Sequence, residues 1–166
     1  GKVILKDQKP CLEGKGWQLP LTAAQGKKLI NKGYMEKAVT LGIRAEDLHG
    51  QASGDAWLEV LVDVREMLGA EVLLHGRVCE DGGSVRDGMD QDGTVRGDMV
   101  QCGADRDDAA QGGPVPEGTV WENSPIISAK LPPSCPAKAG SRVRLYVDMA
   151  RIKLFDTITE ENILYV

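Results

Sequence analysis

Thr40-Leu41-Gly42-Ile43-Arg44-Ala45-Glu46-Asp47-Leu48 reads as a strand that ends in a charged turn. Val39, Leu41 and Ile43 alternate with Thr40, Gly42 and Arg44, the two-residue period of a half-buried strand. Glu46 and Asp47 then end it, because acidic residues suit a turn better than a sheet ladder. The stretch predicts a strand over 37–44 with a charged exit, and the flanking sequence repeats the same pattern.

Upstream, Val3-Ile4-Leu5 and Trp17 to Leu21 predict two paired strands. The charged segment between them, with Pro10, reads as a connector. Thr22 is a suitable N-cap for a short helix near 22–32, closed by Gly33. Downstream, Trp57 to Glu66 is the clearest strand, with Leu58, Val60, Val62 and Val64 on one face and Glu59, Asp63 and Arg65 on the other. Leu68-Gly69 turns the chain back into Glu71 to Cys79, where Val72, Leu74 and Val78 face inward.

Residues 80–118 differ in character. They hold nine of the 20 glycines, and residues 81–118 carry 3 basic against 9 acidic groups, whereas residues 1–80 are neutral with 11 of each. This is an acidic, Gly-rich insertion. Strand patterning resumes over 119–131 with Ile127, Ala129 and Leu131 on one face. It continues over 142–148 with Val143, Leu145 and Val147 inward and Arg142, Arg144, Tyr146 and Asp148 outward, and over 151–156 with Ile152 and Leu154 inward. Ile163 to Val166 predicts a last short strand. Many short strands joined by tight turns predict a mostly β chain, a small OB-like barrel or a sandwich, and not a parallel α/β sheet.

The chemistry-bearing motifs are missing. The sequence has no G-x-x-x-x-G-K-[ST], no G-x-S-x-G and no H-E-x-x-H. His49 and His75 have no partner at a metal-binding spacing. The run Asp87 to Gly93 fails the calcium-loop template, because Gly88 and Met99 fall where ligands are required. Arg96-Gly97-Asp98 matches an adhesion tripeptide by coincidence. Glu59, Asp63 and Glu71 share the outward face of the 57–79 hairpin beside Arg65 and Arg77, which reads as solvation and not as an acid–base pair. The four cysteines, Cys11, Cys79, Cys102 and Cys135, form no C-x-x-C and are expected as reduced thiols. A net charge of −5 and only seven aromatic residues leave no basic, aromatic footprint for nucleic acid. No apolar run is long enough for a membrane span. The expected chain is a binding or regulatory module, not an enzyme in itself.

Three pieces in order carry a family resemblance. Gly42-Ile43-Arg44-Ala45-Glu46-Asp47-Leu48 is similar to a G-I-R-P-E-D-L motif, with Ala45 where proline is usual. Val62 to Glu66, with Leu68, Gly69 and Glu71, is similar to V-x-x-x-E-x-L-G-x-E. Gly140, the strand 143–148 and Leu154-Phe155-Asp156-Thr157-Ile158-Thr159 are similar to the closing pattern. Together they resemble the C-terminal regulatory, OB/TOBE-like region of ATP-binding subunits of carbohydrate-type ABC importers, the maltose, multiple-sugar and glycerol-3-phosphate group. The resemblance covers 1–79 and 119–166 and is interrupted by 80–118.

The resemblance implies one regulatory domain over 1–166, an OB-like barrel built from non-contiguous segments. It implies an N-terminal ATPase domain outside this chain, so that ATP and Mg belong to the full-length parent and no cofactor belongs to this part. Its implied partners are that ATPase domain, a second copy in a homodimer, the permease subunits through the ATPase domain, and a cytosolic regulator protein. Nucleic acid and direct membrane insertion are not implied. Its implied place is cytoplasmic, at the inner face of the membrane. Arg44, Glu46 and Asp47 are the candidate domain or subunit contact; Gly42, Ile43, Glu66, Gly69, Glu71, Phe155 and Asp156 are the remaining motif residues. The alternatives are a small-anion-binding TOBE-like module and a nucleic-acid-binding OB-fold.

Overall fold

The computed structural model describes residues 1–80 and 124–165. Its elements are β1 (Lys2–Lys6), β2 (Lys9–Gly14), β3 (Trp17–Pro20), α1 (Ala23–Asn31), β4 (Val39–Gly42), a 3-10 turn (Ala45–Asp47), β5 (Leu48–His49), β6 (Trp57–Met67), β7 (Val72–Val78), β8 (Ile126–Leu131), β9 (Arg142–Val147) and β10 (Lys153–Asp156). The described residues are mostly β with one α-helix, as the alternating patterns and the Thr22 cap lead one to expect.

The strands fall into three antiparallel sheets, β1-β2-β3, β4-β10 and β5-β9-β6-β7-β8. The five-stranded sheet curls until its edge strands β5 and β8 meet, with the 3-10 turn packed against β8. This nearly closed sheet is the OB-like barrel. The other two sheets join side by side, because Val39 N–H donates to Gly1 O and Val3 N–H to Lys37 O, with a bridge between Lys2 and Ala38. The core is aliphatic, as the scarcity of aromatics dictates: Leu12, Leu29, Leu48, Val60, Leu145 and Leu154 are all fully buried.

Local chemistry sets the helix. Thr22 caps α1 in a reciprocal box: Gln25 N–H donates to Thr22 Oγ1 at 3.3 Å and Thr22 N–H to Gln25 Oε1 at 2.9 Å. Gly33 follows at a φ of +69°, the left-handed conformation that ends a helix. Leu29 is the buried anchor.

Several expectations are corrected. Lys9–Gly14, read as a connector, is the central strand of its sheet. Pro10 is tolerated because it lies at the end of the ladder: its carbonyl accepts from Leu21 N–H at 3.0 Å, one residue beyond β3. Its missing N–H points the same way, so little pairing is lost. Val64 is not inward. The β6–β7 register shifts between Val62 and Val64, which reverses the alternation and leaves Val64 46% exposed while Val62 is 1% exposed. Arg65 therefore shares a face with its partner Leu74, on the barrel's inner side. Ile163 to Tyr165 forms no strand; Ile163 and Leu164 are buried beside β10, held by Ile163 N–H donating to Leu154 O.

Cys11 and Cys79 are buried and outside any disulfide, whereas Cys135 is disulfide-bonded, which departs from the reduced expectation. Cys102 lies outside the described residues. So do the acidic insertion beyond Glu80, the Asp87–Gly93 run, the adhesion-like tripeptide and the strand start expected at Thr119. The described ends of that segment meet: Ser124 Oγ donates to Glu80 Oε1 at 3.1 Å, and Val78 N–H donates to Pro125 O. Lys15 lies 2.6 Å from Glu80 and holds its carboxyl below the usual range. The segment thus leaves and re-enters the fold at a single point between β7 and β8.

Candidate functional site

The motif 42–48 begins on β4, where Gly42 pairs with Lys153 of β10. A Cβ at Gly42 would lie 3.0 Å from the Phe155 ring, so the glycine makes room for that motif phenylalanine. Ile43 packs against the core. Arg44 is extended and the chain then tightens into the 3-10 turn, with Asp47 N–H donating to Arg44 O at 3.0 Å.

The three candidate contact residues do not act alike. Arg44 Nη1 lies 3.5 Å from Glu46 Oε1, with their side chains 64% and 53% exposed. They form a solvated local pair at the barrel rim, a kind of contact that contributes little to stability. Asp47 is instead 2% exposed and faces inward, where Arg151 Nη1 donates to its Oδ1 at 3.1 Å. Its carbonyl accepts from Asp148 N–H. Asp47 is a latch between the 3-10 turn and the turn after β9; Arg44 and Glu46 alone are presented outward.

The other motif residues are structural. Gly69 takes a φ of +76° in the β6–β7 turn, where Leu68 N–H donates to Glu71 O. Glu71 pairs loosely with Lys130 at 3.8 Å, and Glu66 is exposed. Asp156 organises the closing turn: it accepts from Ile158 N–H at 2.7 Å, Thr159 N–H at 2.9 Å and Tyr34 Oη at 2.7 Å. These bonds, the one from Thr159 N–H first, hold its carboxyl down to about 2. The hydrogen bond that Tyr34 donates to Asp156 pushes the Tyr34 hydroxyl above its ordinary range. Nothing in the sequence signals this Tyr34 contact, which spans 122 positions.

The outward carboxylates are each engaged. Glu59, expected in solvent, is 7% exposed and accepts from Arg142 Nη1 at 3.0 Å. Asp63 pairs with Arg77 at 3.3 Å. Tyr146, also expected outward, is 8% exposed in the row it shares with His49 and Trp57. Arg144 stacks 3.9 Å from the Trp57 ring centroid. His75 Nδ1 lies 2.8 Å from Ser128 Oγ. Among the described residues no group of His, Cys, Asp or Glu is placed to hold a metal ion, and no helix is long and apolar enough to cross a membrane.

Sequence reading misses a cleft of about 460 Å³ bordered by His49, the residue that follows the motif. Its base holds the buried Ala56 and Val147, and Pro20, His49, Asp55, Asp148 and Met149 border it. Asp148 Oδ1 accepts from Ala150 N–H at 3.0 Å, and Met149 O accepts from Gln25 Nε2, which ties this wall to α1. Among the described residues no lysine or arginine lines the cleft.

A model of the TOBE domain matches residues 41–110, starting at Leu41, one residue before the motif, and running through β7 beyond the described part of the chain. The chain therefore carries a TOBE/OB-like region. No curated protein matches it.

Proposed function

We propose that this chain is the regulatory and subunit-pairing module of an ATP-binding subunit of a carbohydrate-type ABC importer. The observation that carries the reading is the TOBE match that starts at Leu41 and takes in Gly42–Leu48, a motif whose Gly42 and Asp47 are spent on packing while Arg44 and Glu46 are left outward. A side chain that contributes little to the fold is free to serve a partner. The partners are the parent's ATPase domain, a second copy of the subunit, the permease through that domain, and a cytosolic regulator. ATP and Mg are bound and turned over in the parent and not in this part. A partner that binds this module more tightly in one state of the paired subunits than in another shifts their equilibrium by that difference. The place of action is the cytoplasmic side of a membrane complex.

The test is Arg44→Ala and Glu46→Ala in the full-length subunit assembled with its transporter. Unchanged unfolding together with altered pairing or ATPase regulation supports the reading. Unchanged pairing and regulation in both variants overturns the contact role, and a parent without an ATP-binding domain overturns the whole reading.

TOBE modules also suggest a molybdate- or sulfate-type anion site. The cleft opposes it, because Asp55 and Asp148 border it and, among the described residues, no lysine or arginine does. Calorimetry with molybdate, tungstate and sulfate decides: saturable heat would install the anion reading in its place.

A further inference from the structure

The cleft that His49 borders has a composition that selects one chemistry. Its base is apolar, formed by Ala56 and Val147 with Met149 beside them. Its charged groups are the carboxylates of Asp55 and Asp148, with the His49 imidazole at the edge. Among the described residues neither carboxylate has an ion-pair partner, and Asp148 uses one oxygen on Ala150 N–H. An anion is repelled here. A metal ion is not held either, since among the described residues no three His, Cys, Asp or Glu side chains come together to ligate one, and about 460 Å³ far exceeds what an ion fills. What satisfies an apolar base and two carboxylates without ion-pair partners is a cation carried on an aliphatic stem, the way lysine buries its methylenes and keeps its head on polar groups.

We propose that the cleft bordered by His49, Asp55, Asp148 and Met149 binds a primary alkylammonium group. The methylene stem lies on Ala56 and Val147, and the ammonium donates to Asp55 and to the free oxygen of Asp148. Two sources carry this chemistry, a lysine side chain of a partner protein and a free aliphatic diamine. The inference rests on the cleft alone and does not depend on the transporter reading.

The test is a nuclear magnetic resonance titration of the full 166-residue chain at near-neutral pH. The probes are Nα-acetyl-lysine methylamide, 1,5-diaminopentane and the uncharged Nε-acetylated lysine derivative. Saturable shifts confined to the amides of His49, Asp55, Ala56 and 147–149 are expected with the two charged probes. The Nε-acetylated probe is expected to bind roughly tenfold more weakly or worse. Asp55→Asn and Asp148→Asn are each expected to weaken binding by roughly fivefold or more. The rest of the spectrum should hold its positions, since an Asn at 148 can still accept from Ala150 N–H. Tighter binding of the lysine derivative assigns the site to a protein partner, and tighter binding of the diamine assigns it to a free polyamine. The proposal is overturned if neither charged probe gives a saturable shift, if the Nε-acetylated probe binds equally, or if the exposed-residue variant Asp55→Asn binds as the parent chain does. Because no transporter component enters this assay, its failure is separate from failure of the importer reading.

Discussion

Arg151 donates to Asp47 at 3.1 Å across an asymmetric boundary: the Asp47 side chain is 3% exposed and the Arg151 side chain 61% exposed. Removing one partner is therefore not equivalent to removing the other. Arg151→Ala strands a buried carboxylate, whereas Asp47→Ala leaves an arginine that water can solvate. Arg151→Ala is expected to cost about 2–3 kcal/mol and Asp47→Ala about 1 kcal/mol, with the double variant close to the Asp47 single variant. Urea unfolding of the three variants measures the cycle. Equal costs for the two single variants would mean that Asp47 is hydrated.

Asp156 gives the fold an acid-sensitive turn. Its carboxyl is held at about 2 against an ordinary 3.8, so its native hydrogen bonds favour the ionised form. That contribution is complete above the ordinary value and is lost as pH falls from there through about 2. Thermal unfolding of the parent chain should weaken across that window. Asp156→Asn, measured beside it, should show a smaller change there. An identical acid profile in the two proteins would rule this source out.

Helix propensity and packing compete at Gly26. Alanine is favoured over glycine inside a helix by about 1 kcal/mol. A Cβ at this position would come within 2.0 Å of Pro10 Cγ, a stiff ring on the central strand β2. Overpacking of that kind costs about 1–3 kcal/mol, so Gly26→Ala is expected to lower stability despite its propensity. A rise in melting temperature would show that α1 can shift away from β2.

The shifted register in β6 separates two valines that look alike. Val62→Thr places a hydroxyl in the core and is expected to cost about 1–3 kcal/mol. Val64→Thr, on the wet face, is expected to stay within about 0.5 kcal/mol. Denaturant unfolding of the pair distinguishes them, and similar losses would place Val64 back inside.

The legible parts of the fold were those set by neighbours in sequence. The alternation over Trp57–Val62 and Val143–Val147, the Thr22–Gln25 box and the Leu68–Gly69 turn each involve contacts within a few residues. What escaped depends on distant partners. Pro10 sits in a central strand because of where β3 ends. Val64 turns outward because β7 forces an extra residue into β6. Glu59 and Tyr146 are covered on a face that period alone assigns to water. At the site, the spacing of Arg44 and Glu46 gave their rim position. The inward Asp47 could not be read, because its partner Arg151 lies 104 positions away. The cleft draws its walls from β3, β5, the loop before β6 and the end of β9, so no contiguous motif announces it.

The pairing of β4 with β10 has a consequence for how the chain is made. Val39 lies opposite Asp156, and β9 is inserted between β5 and β6. During synthesis, residues 1–80 would emerge with one side of β4, β6 and β7 lacking its neighbour, and would wait until β8, β9 and β10 follow. Such late, long-range closure makes for slow folding and a nascent chain with open strand edges. A ribosome-bound chain stopped just after Glu80 should be protease-sensitive and a target for chaperones, and protection should arrive in one step when Asp156 clears the exit tunnel.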